Sequence, residues 1–187
     1  MSTVRPAPFP LVVSLSEDLD EPIKLRAKHK VADMLLLERN HARRLDRGWN
    51  VPGAYILLDR PDSEGRWGAY VGKATNPGLR RRVLQQVKER DHWYRALLIR
   101  YASNDDETLN SSEAAWLESE LYYCLDSSGL VDLHNRNRPH DPTLSHIDEV
   151  SLRDYLTPVE SVLRLIGHTH HPRSLVTTIT PRLLASV

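Results

Sequence analysis

The chain has a single cysteine, Cys124, among 187 residues. One thiol excludes an internal disulfide and a multi-cysteine zinc site. It stands in the apolar run LYYCL, where a buried, inert thiol is the expectation. An excess of either charge is also missing. Lys and Arg number 25, Asp and Glu 25, and the formal net charge is zero. Bulk charge thus announces no nucleic-acid partner, and only local clustering can signal one. No apolar run approaches the roughly 20 residues of a membrane span. No basic segment followed by an apolar one stands near the start, so a secretion signal is not expected and a cytoplasmic location is. Low-complexity sequence is absent, as is a dinucleotide-binding glycine pattern. Gly72-Lys73 suggests a phosphate loop but fails on spacing. Such a loop needs glycine where Trp67 stands, and Ser or Thr where Ala74 stands.

What is present reads as one α/β (α+β) domain with extensions. Residues 1–48 are expected to form an arm, with one short strand in LVVSLSEDLD, and a helical extension. In residues 22–47, Ala27, Val31, Leu35, Ala42 and Leu45 recur near helical spacing, Pro22 suits a first helical position and Gly48 a cap. Arg43, Arg44 and Arg47 would then cluster on the last turns, as a solvated helix end or a basic patch. Residues 49–142 are expected to form the core. GAYILLD and WGAYVGKA are strand-like runs joined by the polar loop RPDSEGR, which predicts a hairpin. A helix follows with Leu79, Val83 and Val87 on one face, then a strand, ALLIRYA, and a strong helix, SSEAAWLESELYYCLD. The order β-β-α-β-α predicts a small, mainly antiparallel three-stranded sheet flanked by helices. Residues 143–187 are expected to add a C-terminal helix, started near Thr157-Pro158 and stopped at Gly167, and a tail. His168, His170 and His171 lack an accompanying carboxylate or cysteine, and no metal site is expected there.

The tripeptide Gly-Ala-Tyr occurs twice, at Gly53 and at Gly68, once on each strand of the hairpin. A helix bearing Arg80, Arg81 and Arg82 comes next, then a helix starting with Glu113, then Asn135 in LHNRN. This pattern resembles the GIY-YIG nuclease family, which includes homing and restriction endonucleases and the bacterial excision-repair nuclease that makes the 3′ incision. Its first motif stands here as Gly53-Ala54-Tyr55 and its second as Tyr70-Val71-Gly72. The likeness covers about residues 50–140.

The resemblance implies a metal-dependent endonuclease acting on DNA, most naturally double-stranded, with Mg²⁺ (or Mn²⁺) as cofactor. It implies Tyr55 as the group that takes the proton from water, Tyr70 as a partner of the phosphate or of Tyr55, and Arg82 on a non-bridging oxygen. It implies Glu113 as the metal ligand and Asn135 as an anchor of the loop. Lys73 is a candidate cation beside Tyr55. Gln86 stands where members carry His or Tyr and cannot act as a base near neutral pH, so His92 is a candidate substitute. Arg80, Arg81, Arg43, Arg44, Arg47, Arg136 and Arg138 are candidate phosphate ligands. Neutral overall charge points to limited non-specific affinity, and so to a partner protein or a structured substrate, while a double-strand break needs two active sites or two sequential nicks, which makes a homodimer attractive. Glu113 also has a structural reading, because Asn110-Ser-Ser-Glu113 fits a capping box. Glu118 and Glu120 read as solvent-facing charges. An impaired binding module of the same family and an RNA-cleaving nuclease are the alternative functions.

Overall fold

The computed structural model describes residues 9–28, 30–102, 107–140 and 142–169. The central element is a seven-stranded sheet: β1 (Leu11–Ser14), β2 (Ile23–Ala27), β3 (Ala32–Glu38), β4 (Gly53–Leu58), β5 (Trp67–Ala74), β6 (Arg95–Tyr101) and β7 (Val131–Leu133). The strand order is β1-β2-β3-β6-β4-β5-β7. Every neighbouring pair is antiparallel except β5 with β7. Four helices accompany it: α1 (Leu79–Glu89), α2 (Ser111–Asp126), α3 (His146–Arg153) and α4 (Leu156–Leu165). The α+β class and the β4–β5 hairpin agree with expectation.

The three-stranded sheet does not, and neither does the helix over residues 22–47. That segment forms β2, β3 and two short 3-10 turns, Arg39–Arg44 and Arg47–Trp49. The physical reason lies in the pattern of side chains. Leu25 and Ala27 are buried while Lys24 and Arg26 are exposed, which is the two-residue period of a strand. Met34, Leu35, Leu36 and Leu37 are all buried, because β3 lies inside the sheet with both faces covered. Such a run is indistinguishable from a helix by periodicity alone. β3 pairs along its whole length with β6, so residues expected as an extension join the main sheet.

Alternation along the strands makes two cores. Ala54, Ile56, Leu58, Ala69, Val71, Leu97 and Ile99 face α2, α3 and α4, with Trp116, Leu121, Leu156 and Val159 packed on them. Tyr55, Leu57, Ala74, Ala96 and Leu98 face the other way, onto Leu79 and Val83 of α1, Trp93, and Ala42, Leu45 and Trp49 of the 3-10 turns. Arg100 fastens those turns to the sheet. It donates to Asp33 at 2.9 and 2.8 Å and to the Gly48 carbonyl at 2.7 Å, and stacks over Trp49. Gly167 closes α4 with a φ of 83°. The His168 amide donates back to the Leu163 carbonyl and the Gly167 amide to Arg164, the bond pair of a Schellman end. That reversal delivers His168 to the sheet. His170 and His171 lie outside the described residues. Cys124 is buried, and burial together with Glu160 pushes its thiol up to about 12, which agrees with an inert thiol.

Candidate active site

Tyr55 sits on β4 and pairs in register with Gly72 on β5, while Tyr70 pairs with Leu57. Tyr55, Tyr70 and Gly72 therefore share the face toward α1. The tyrosine rings are 6.2 Å apart, centre to centre. A Cβ on Gly72 would overlap the Cζ and Oη atoms of Tyr55, so only glycine lets the Tyr55 ring cross its neighbour strand. Gly72→Ala is expected to displace the ring and to cost about 1–3 kcal/mol, read by urea unfolding.

Tyr55 is fully buried, and its hydroxyl has no hydrogen-bond partner among the described residues. Burial pushes the phenol up, the Tyr70 phenol adds to this, and the Arg82 guanidinium opposes both. Arg82 acts on the phenol by its charge and from hydrogen-bonding range, outside strict hydrogen-bond geometry. Its side chain donates to Gln85 at 2.9 Å. Arg82 sits one turn into α1, next to buried Val83, and is the arginine of its cluster that reaches this place. Arg80 turns away and donates to the Leu45 carbonyl at 2.8 Å, while Arg81 is exposed.

Tyr70, Gly72, Lys73, Arg82 and Glu118 line one cavity of about 300 Å³, closed below by residues 74–77. Lys73 belongs to the opposite face of β5 from Tyr70, yet both reach the cavity, because this end of β5 is an edge. β7 pairs only with Trp67–Ala69. Beyond it, Asn135 takes the place of a strand. Its side chain accepts from the Val71 amide at 3.0 Å and donates to the Val71 carbonyl at 2.8 Å. Asn135 is thus an anchor of the loop, as expected.

The carboxylate is corrected. Glu113 does not reach this cavity. It closes a capping box at the start of α2, accepting from the Asn110 amide at 2.7 Å, while Asn110 accepts from the Glu113 amide. It borders a separate cavity with Val31, Tyr101 and Tyr155. Glu118 is the carboxylate at the Tyr70–Arg82 cavity. It is bonded to Lys73 at 3.1 Å, with its side chain 14% exposed, so it is not the solvent-facing charge expected from sequence. Five residues separate the two glutamates, which puts them roughly 140° apart around the helix. They cannot serve one site. The missed signal is that Glu118 shares a stripe with Ala114, Leu121, Tyr122 and Leu125, all buried. Asn110→Ala is expected to cost about 1 kcal/mol in urea unfolding, through loss of the cap alone.

No family model, curated protein or solved structure matches the chain.

His92 is also corrected. It stands away from the two tyrosines, in the α1–β6 loop, and its Nδ1 bonds Asp59 at 2.7 Å. The place beside Tyr70 is taken by Arg90, which sequence reasoning missed. Its guanidinium lies 3.7 Å from the Tyr70 ring centre. Gln86, fully buried, holds it there by accepting from Arg90 Nε at 2.8 Å. Gln86 thereby brings a second cation, Arg90, to the tyrosine pair.

Of the arginines expected to bind phosphate, Arg44 is already engaged by Asp18, Asp20 and Glu21. The β1–β2 loop that carries these acids was not foreseen as its neighbour. Arg43, Arg47 and Arg136 are exposed, and Arg138 lies 3.8 Å from Asp126. The bond from Arg80 to Leu45 brings the start of α1 against the 3-10 turns. Two basic stretches far apart in sequence, Arg43 with Arg47 and Arg80 with Arg81, thus become neighbours.

Proposed function

We propose that the protein is a metal-dependent endonuclease of the GIY-YIG type that hydrolyses DNA phosphodiesters. The observation that carries this reading is the meeting of Tyr70, Lys73, Arg82 and Glu118 at one cavity, with Tyr55 behind Gly72. Phosphodiester hydrolysis needs a proton acceptor for water, cations on the phosphate and stabilisation of spreading negative charge. The cavity wall, with Tyr55 behind it, offers residues for each need. Tyr55 takes the proton from water. Its buried phenol resists ionisation, so the adjoining Arg82 charge must favour the phenolate. Arg82 binds a non-bridging oxygen through its fork. Tyr70, beneath Arg90, donates to the phosphate.

Glu118 fits a divalent ion of the Mg²⁺ class. It is a partly exposed oxygen donor at the cavity wall, and Mg²⁺ needs only one or two carboxylates because it keeps its waters. Bound there, the ion would supply positive charge to the leaving 3′ oxygen. Lys73, paired with Glu118 in the free chain, orients that carboxylate. The Arg43, Arg47, Arg80 and Arg81 tract would follow the duplex backbone, which predicts steep loss of binding with salt.

The test is incubation of supercoiled plasmid with the full chain and Mg²⁺ or Mn²⁺. Nicked or linear product that disappears in EDTA is expected. An inert protein under both metals overturns the reading, and cleavage of an RNA hairpin alone moves the substrate from DNA to RNA.

A further inference from the structure

We propose a second metal site, for Zn²⁺ or a similar imidazole-preferring divalent ion, formed by Asp59, His92 and His134. It stands on its own residues and does not depend on the nuclease reading. The three come from separate segments: the end of β4, the α1–β6 loop and the turn after β7. One ligand atom from each falls within 4.8 Å of the others. Asp59 offers one oxygen to His92 Nδ1 at 2.7 Å and the other to His134 Nε2 at 2.8 Å. The two imidazole rings are 4.2 Å apart. Two imidazoles and a carboxylate suit Zn²⁺, and three protein ligands leave a further position for water.

Two further observations point to a ligand rather than to a hydrogen-bonded triad alone. Gly68 lies beneath the cluster, and a Cβ there would overlap both Asp59 Oδ2 and His134 Nε2. The second Gly-Ala-Tyr copy thus clears this space, a use that its likeness to the first copy conceals. The Asp59 main chain is held in turn: its carbonyl accepts from His168 Nε2 at 2.9 Å, and His168 packs edge-on against Trp67. Supports of this kind orient metal ligands. The side chains of Asp59, His92 and His134 are 21%, 24% and 28% exposed, so an ion can enter.

Asp59 lies four residues beyond Tyr55, and Gly68 two before Tyr70. An ion here would brace the hairpin that carries both tyrosines, by tying it to the β6 and β7 ends.

The test titrates the full chain with Zn²⁺ alone, by calorimetry, and with Co²⁺ by visible absorption. One Zn²⁺ per chain is expected, with binding weakened at least about a hundredfold in Asp59→Asn, His92→Gln and His134→Gln. Glu118→Gln is expected to bind Zn²⁺ like the wild type, which separates this site from the other carboxylate. In the unsubstituted protein, Zn²⁺ is expected to shift the ring nitrogens of His92 and His134 in NMR spectra, a readout that needs no variant to fold. No binding overturns the proposal, as do binding that survives both histidine substitutions and shifts confined to other histidines.

Discussion

Glu118→Gln is expected to reduce Mg²⁺-dependent cleavage by at least about a hundredfold while the protein stays folded. The substitution keeps the shape of the side chain and removes only its charge. Its partner Lys73 is 37% exposed, so the ammonium left behind is solvated and the pair adds little to stability. Glu113→Gln is expected to do the reverse. Glutamine can still accept from the Asn110 amide, so the capping box survives and cleavage stays near the wild-type rate. The two glutamates begin and continue the same helix, and only the second faces the cavity. Single-turnover rates on plasmid, beside urea unfolding curves, separate the two outcomes. Equal loss in both variants would mean that α2 as a whole, and not one carboxylate, supports the reaction.

Tyr55→Phe is expected to lower cleavage by about 10²–10⁴ and to leave stability unchanged or raise it. The hydroxyl is buried and makes no hydrogen bond of strict geometry among the described residues, although Arg82 lies close to it. An unsatisfied buried polar group costs about 1–3 kcal/mol. Phenylalanine removes that cost and keeps the ring that packs over Gly72. A residue kept in a form that weakens the fold is a residue retained for chemistry. Tyr55→Phe with lower activity and lower stability together would instead make the hydroxyl a structural group.

Much of the local structure was legible in the sequence. The hairpin, α1, α2 with its cap at Asn110 and the stop at Gly167 all follow from strand alternation, turn residues and capping chemistry. The 22–47 segment was not legible, because its decisive property is non-local. Met34 to Leu37 form a strand only because β2 and β6 flank them and because both sheet faces are covered. At the candidate site, order along the chain points to the tyrosines, Lys73, Arg82 and Asn135. It points to Glu113 rather than to Glu118, the carboxylate at the cavity, because order does not resolve helix phase. The buried stripe through Ala114, Leu121 and Leu125 does, and it was readable. Arg90 and the Asp59–His92–His134 cluster were beyond reach. Each depends on which segments the sheet brings together, and no spacing in the sequence encodes that.

The central claim is that Glu118, not Glu113, holds the divalent ion beside Tyr70 and Arg82. Anomalous diffraction from crystals of the protein with Mn²⁺ and a short phosphorothioate duplex measures it directly. The account predicts a Mn²⁺ peak within bonding distance of a Glu118 oxygen, with a phosphate oxygen on its far side and Arg82 on the same phosphate. A peak at Glu113, or Mn²⁺ confined to the Asp59 cluster with the Glu118 cavity vacant, would contradict it.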